Sequence, residues 1–401
     1  MNLKSGYPYF LIKSGLVAEY PKLQSNKTTD VVIMGGGISG ALSAYHLLQK
    51  GISCIVVDSR SIGLGSTCAS TSLLQYEIDI PLHKLAGLIG EKNAIRSYQL
   101  CEEAIDKLFV IAQKIGFTEI ENKKSFYFAA AKKDLAMLKA EFDMRKKSGF
   151  KVQWINEEKV LQKTGFSSPA AILSESGAQT NAYLFTHALH QYGIKKGLEV
   201  FDRTELTDIQ HHAAGVKMVS KEGFVIKAKK LIYATGYEVL KYIDKPIVQL
   251  KSTFAVNSEV LSTKRPFWQN DMLLWNTADP YLYLRTTPDN RILIGGRDEN
   301  FYSPKKRDSL LVSKTSSLVR DFKKLFPEIP FVPEFSWAGT FGSTKDGLPF
   351  IGPYKKLHNS FFALGFGGNG ITFSLIAAEM ISAELAGIKN EDTKLFSFDR
   401  L

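Results

Sequence analysis

The chain has 401 residues, 44% of them hydrophobic, and a formal net charge of +11. That length allows two domains of ordinary size or one large interleaved fold, and the composition is that of a globular protein with a real core. The basic doublets Lys132-Lys133, Lys146-Lys147, Lys229-Lys230 and Lys305-Lys306 are scattered along the chain, so no nucleic-acid footprint is expected. Three cysteines, Cys54, Cys68 and Cys101, show no CxxC spacing, and seven histidines show no ligand spacing. Neither a disulfide framework nor a metal site follows, and a reducing, cytoplasmic setting fits.

In chain order, residues 1–28 are rich in aromatics and prolines and are expected to form an irregular arm. A short apolar strand at 31–34 leads into helical spacing over 38–50, closed by Gly51, and the next strand is 54–57. This βαβ start predicts a parallel sheet. A long amphipathic helix is expected over 90–116, a strand at 126–130, and helices at 134–148 and 183–196. Short strands follow through Val200, a turn at Lys221-Glu222-Gly223, and a strand at 231–234. Alternation at 251–260, 272–275, 281–285 and 292–295 predicts an antiparallel sheet, followed by a helix over 309–326 stopped by Pro327. The last 60 residues return to glycine-rich strand and helix. The uncharged stretches 31–49 and 359–378 are broken by glycines and polar groups, so each reads as strand–turn–helix and no transmembrane segment is expected.

Four motifs carry chemistry. Asp30 to Gly40 contains Gly35-Gly36-Gly37-Ile38-Ser39-Gly40, a GxGxxG placed directly after a strand and opening a helix. Gly35 permits the tight turn, Gly37 admits a pyrophosphate, Gly40 lets helix pack on strand, and the helix N-terminus faces the phosphates. Asp58 ends the second strand, where a carboxylate grips ribose hydroxyls. Next come Ser59, Arg60, Ser66, Thr67, Ser70 and Thr71, small and hydroxylated residues suited to lie against a phosphate or a flat ring. The third motif is an apolar strand ending in Ala234-Thr235-Gly236. The fourth begins at Gly339, runs through TKDGLPFIG and an apolar strand, and ends in Gly365-Phe366-Gly367-Gly368-Asn369-Gly370-Ile371-Thr372 before a helix.

These four segments, in this order, resemble the FAD-dependent D-amino-acid oxidase/glycine oxidase/sarcosine oxidase superfamily over nearly the whole chain beyond residue 28. The GSTCASTSLLQYEID segment and Trp337-Ala338-Gly339 are more similar to its gamma-glutamylputrescine oxidoreductase-like branch. The resemblance implies an α/β fold in which a Rossmann-like FAD-binding domain (29–85, 170–245 and 335–401) is interleaved with an α+β, antiparallel-sheet substrate domain (86–169 and 246–334) that roofs the flavin. It implies non-covalent FAD, with Val200 meeting the adenine and Gly370, Ile371 and Thr372 against the pyrimidine end of the ring, where N–H groups stabilise negative charge.

The activity implied is oxidation of the C–N bond of a small amine or amino acid by hydride transfer to flavin N5, with oxygen or an electron carrier as acceptor. No second GxGxxG is present for a nicotinamide donor. A dehydrogenase of a hydroxy acid or polyol phosphate, and a non-catalytic FAD-binding subunit, are the alternatives. Amino-acid-oxidising relatives often carry an arginine at the position of Phe341 to clamp the substrate carboxylate. Here Arg285 or Arg297 is the candidate replacement, while Tyr76, Tyr281, Tyr283, Trp337 and Phe341 are candidates for an aromatic wall.

Overall fold

Val31, Val32 and Ile33 are β-branched and buried on both faces, which suits the interior of a parallel sheet. In the computed structural model, which describes residues 1–262 and 265–400, they lie in the strand Lys27–Met34. Its neighbours are Cys54–Val57 on one side and Val225–Tyr233 on the other, both parallel. Glu199–Phe201 extends this sheet beyond Cys54–Val57, and Ser360–Leu364 runs parallel to the end of Val225–Tyr233. A hairpin and a further antiparallel strand complete eight strands.

The helices Ile38–Gln49, Ala182–Ile194 and Gly370–Leu385 pack together against this sheet. Gly370–Leu385 is apolar nearly all round because it is enclosed, with Phe373, Leu375, Ile376, Met380 and Ile381 all buried. Among the described residues no helix is long and apolar enough to cross a membrane.

The second layer is a nine-stranded sheet. It contains Gln249–Ser258, Leu273–Asn276, Tyr283–Thr286 and Ile292–Glu299, the alternating segments of the sequence. Pro304–Leu325 packs on its outer face, bringing its own Leu318 and Phe322 into the cluster that holds Phe254 of the sheet. That helix begins earlier than the periodicity alone indicates because Ser303 accepts a hydrogen bond from the Lys306 amide and Pro304 fits the first turn.

Three features depart from expectation. The first 28 residues are irregular only in part: Lys4–Gly6 pairs antiparallel with Pro333–Ser343 and Tyr9–Ser14 is a short helix, while residues 15–26 have no helix or strand. The strands Ala170–Ser174 and Pro333–Ser343 hydrogen-bond into the nine-stranded sheet rather than the parallel one. The helices Leu82–Ile89 and Glu157–Thr164 and the strand Val152–Asn156 are too short to show a period and were not anticipated.

Candidate active site

A cavity of about 920 Å³ runs between the C-terminal edge of the parallel sheet and the inner face of the nine-stranded sheet. Such a crevice beyond the carboxyl ends of parallel strands is where open α/β sheets bind ligands.

Its lower end is built by the first glycine turn. Gly35 has φ +112°, and a Cβ there would sit 2.4 Å from the Ala234 carbonyl oxygen. A Cβ on Gly40 would come within 1.9 Å of the Gly35 carbonyl oxygen, so Gly40 lies beneath the turn and off the cavity wall. Gly37, Ile38 and Ser39 line the cavity at the helix start. Thr67 Oγ1 accepts from the Ile38 amide at 3.1 Å, and Ser39 shares a 2.6 Å hydrogen bond with Ser374 of the last helix. Asp58 lines the wall and accepts from the Gly36 amide (2.7 Å) and the Arg60 amide (2.8 Å). Burial pushes its carboxyl upward against those two amides. Ser59 is beside it, and Arg60 is held by a fork of 2.8 and 2.9 Å bonds to Glu238. Ala234, Thr235 and Gly236 close this end.

Ser66, Thr67, Ser70 and Thr71 form the middle of the wall. Trp337 pins that loop by donating its indole N–H to the Ala69 carbonyl at 2.9 Å, and Gly339 lies next to it on the same strand. Cys68 is buried beneath the loop, off the cavity wall, and burial pushes its thiol up to about 11. Opposite, Gly367, Gly368, Asn369, Gly370 and Ile371 line the cavity. Asn369 fixes this turn by donating from Nδ2 to the carbonyls of Gln75 and Glu77, each at 2.9 Å. Thr372 is buried behind it, bonded to the Asn369 carbonyl.

The upper end is the inner face of the nine-stranded sheet. Tyr283 and Phe341 line it with Tyr237, Tyr281, Trp275 and Lys251. Gly295, directly across from Tyr283, leaves room for that ring: a Cβ there would be 2.3 Å from the phenol oxygen. Asp79 is exposed only toward the cavity. It accepts from the Gly368 amide at 2.9 Å and the Tyr281 hydroxyl at 3.3 Å, and a Cβ on Gly367 or Gly368 would collide with it. Asp298 faces the same space. Burial, with Asp79 nearby, raises its carboxyl to about 6, and its Oδ1 has no partner.

Besides Gly40 and Thr372, four further expected site residues lie off the cavity wall. Tyr76 is buried in the core, stacked on Phe150 and bonded to Ser174. Arg297 is paired with Asp321 at 2.5 and 2.6 Å, away from the cavity. Arg285 is buried behind the wall and donates to the carbonyls of Thr71, Ser72 and Thr180. Burial lowers its guanidinium to about 9, with Tyr9 and Glu121 opposing the shift from a distance. Val200 is buried in the edge strand Glu199–Phe201 of the parallel sheet, opposite Val56, and Thr204, Glu205 and Leu206 line the cavity at that end instead. Asp79, Lys251, Asp298, Tyr237 and Glu238 were not singled out from the sequence. The polar alternation Gln249, Lys251, Thr253, in a strand whose other residues except Leu250 are buried, is the one signal that points to any of them.

The lower and middle walls fit a flavin dinucleotide. Ser66 Oγ and Thr235 Oγ1 are buried without partners there, and Gly37, Ile38 and Ser39 bring the start of the helix to the cavity wall.

The model of the DAO family, FAD dependent oxidoreductases, matches residues 30–384. Gamma-glutamylputrescine oxidoreductase of Escherichia coli (strain K12) is 24% identical, over 94% of this chain and 88% of its own length. Glycine oxidase of Bacillus subtilis (strain 168) is 22% identical, over 88% of this chain and 92% of its own. Among solved structures, glycine oxidase from Geobacillus kaustophilus superposes with a TM-score of 0.78 at 19% identity, covering 94% of this chain and 100% of that one. L-proline dehydrogenase from P. horikoshii gives the same TM-score at 17% identity, over 93% and 97%. These likenesses establish the shared fold.

Proposed function

The chain belongs to the DAO family of FAD-dependent oxidoreductases and is an enzyme that takes FAD as cofactor, and from that premise we propose that it oxidises the C–N bond of a small amine or amino acid to an imine, which water then hydrolyses. The observation that carries this reading is the continuity of one cavity from the first glycine turn, past the second, to an aromatic and carboxylate-bearing roof. Bound there, FAD supplies the hydride acceptor at N5.

The residues of the chain divide the remaining work. Gly35, Gly37, Asp58, Ser66 and Thr235 bind the dinucleotide. Asn369 holds the second glycine turn so that the amides of Gly370 and Ile371, at the start of a sixteen-residue helix, face the ring. Tyr237, Tyr281, Tyr283 and Phe341 exclude water from the roof, which favours the neutral, reactive form of an amine. The cofactor side of this division is the parallel sheet and its helices. The substrate side is the nine-stranded sheet, including Ala170–Ser174 and Pro333–Ser343.

The test is anaerobic bleaching of the yellow holoprotein against a panel of amines and D- and L-amino acids. At least one is expected to reduce the flavin and release ammonia or an amine. Reduction only by hydroxy acids or polyol phosphates, or by nothing in a broad panel, overturns the reading.

A further inference from the structure

Lys251 is set in the inner face of the nine-stranded sheet, in the strand Gln249–Ser258. Gln249, Lys251 and Thr253 line the cavity, while Ser252 between them is buried off its wall. Its cross-strand neighbour is Phe341, which brings no charge. Directly opposed side chains in an antiparallel pair start about 5 Å apart on one face, so the lysine stem runs alongside the phenyl ring. Among the described residues Lys251 has no ion pair within 4.0 Å and no hydrogen bond. The other cavity-lining cations differ: Arg60 is forked onto Glu238, Lys241 faces the same carboxylate at 3.9 Å, and Lys84 is exposed at the mouth.

Lys251 is half-buried on the cavity wall, and an anion placed beside it there gains a charge-assisted hydrogen bond for which no side chain competes. The two carboxylates of the roof do not supply that anion. Asp79 is occupied by the Gly368 amide and the Tyr281 hydroxyl, and Asp298 lies beside Thr253. Both act on Lys251 only across space. The roof therefore offers a separated cation and anion above the glycine turn, an arrangement complementary to a ligand carrying both signs. A plain amine leaves Lys251 unpaired, and a diamine is repelled by it.

We propose that Lys251 binds the carboxylate of the substrate, so that within the proposed amine-oxidising reading the substrate class is an amino acid, its amine turned toward Asp79. Lys251 thereby takes the part expected of Arg285 or Arg297, from a different strand position. The proposal rests on the reading that the roof side of the cavity takes the substrate.

The experiment is a titration of the FAD-loaded protein near neutral pH with propionate, n-propylamine and inorganic phosphate, followed by flavin absorbance and by calorimetry. Propionate is expected to perturb the flavin spectrum. Lys251→Met, which keeps the aliphatic stem, is expected to weaken it by about tenfold or more, as loss of a charge-assisted hydrogen bond implies. Lys251→Arg is expected to restore most of the affinity, which a purely structural role does not predict. Equal propionate affinity in wild type and Lys251→Met overturns the proposal. So does binding of propylamine or phosphate without propionate. The outcome is separable from that of the bleaching panel: amines that reduce the flavin in a protein whose propionate affinity ignores Lys251 leave the C–N oxidation standing and remove only the assignment of Lys251.

Discussion

Asp298 is where a single side chain has a measurable cost. Its carboxyl rises from 3.8 to about 6 because burial, and Asp79 across the cavity, disfavour the charged form. The folded protein holds this proton more tightly than the unfolded chain does. Its contribution to stability is therefore complete below the unfolded value of 3.8 and is lost as pH rises through about 6. The loss is on the order of 1–3 kcal/mol, reduced because the group faces a cavity. Asp298→Asn removes it. The variant is expected to be more stable than wild type by that amount above about pH 7 and nearly equal near pH 4, as read by urea unfolding across pH. A constant difference across pH contradicts the assignment. Asp298 and Lys251 also mark the limit of reading the sequence. Gly35, Gly37 and Asp58 are legible because a phosphate-binding turn needs them at fixed spacing. A roof residue acquires its meaning from the register that sets Lys251 against Phe341, and register is not written locally. Arg285 and Arg297 misled for the same reason: their types suited a clamp, but their strands turn them to carbonyls and to Asp321.

Among the elements, the pairing of Tyr283–Thr286 with Ile292–Glu299 controls the shape of the roof. Gly295 is the space into which the Tyr283 ring fits, with ring atoms 2.3 to 2.5 Å from where a Cβ would be. Gly295→Ala is expected to destabilise the protein by about 1–3 kcal/mol through overpacking. Tyr283→Ala in the same chain is expected to relieve most of that cost, giving a favourable coupling in a double-mutant cycle measured by chemical unfolding. Independent, additive costs refute the packing account. Elements with a long period were legible: Glu91–Ile115 and Leu135–Lys147 lie close to their expected positions. Leu82–Ile89 was not, since eight residues give little more than two turns of pattern. The short strand at Lys4–Gly6 owes its conformation to its partner strand Pro333–Ser343, far away in sequence.

Across the whole molecule, three buried histidines govern the response to acid. Burial lowers His46, His187 and His190 to about 4 from 6.5. His190 donates from Nε2 to the Gly36 carbonyl at 3.0 Å, beneath the dinucleotide turn, and His187 Nδ1 shares a 2.9 Å bond with the Tyr20 hydroxyl. A depressed folded-state value contributes stability that is full above 6.5 and is lost as pH falls toward 4, with a slope of up to about 1.4 kcal/mol per pH unit for each group. Asp298 has the opposite sign in part of that window. His190→Gln is expected to flatten the dependence of unfolding free energy on pH by about one histidine's share, measured by urea unfolding at stepped pH. An unchanged slope refutes it. The interleaving of the two layers was legible at this scale because the glycine-rich texture comes in separated blocks. The exact change of sheet was not, because Ala170–Ser174 and Pro333–Ser343 have the same apolar character in either layer.

The cavity wall draws on residues from Met1 to Ser374. The wall therefore closes only when the first and last segments of the chain have met, and neither half of the chain carries the site by itself.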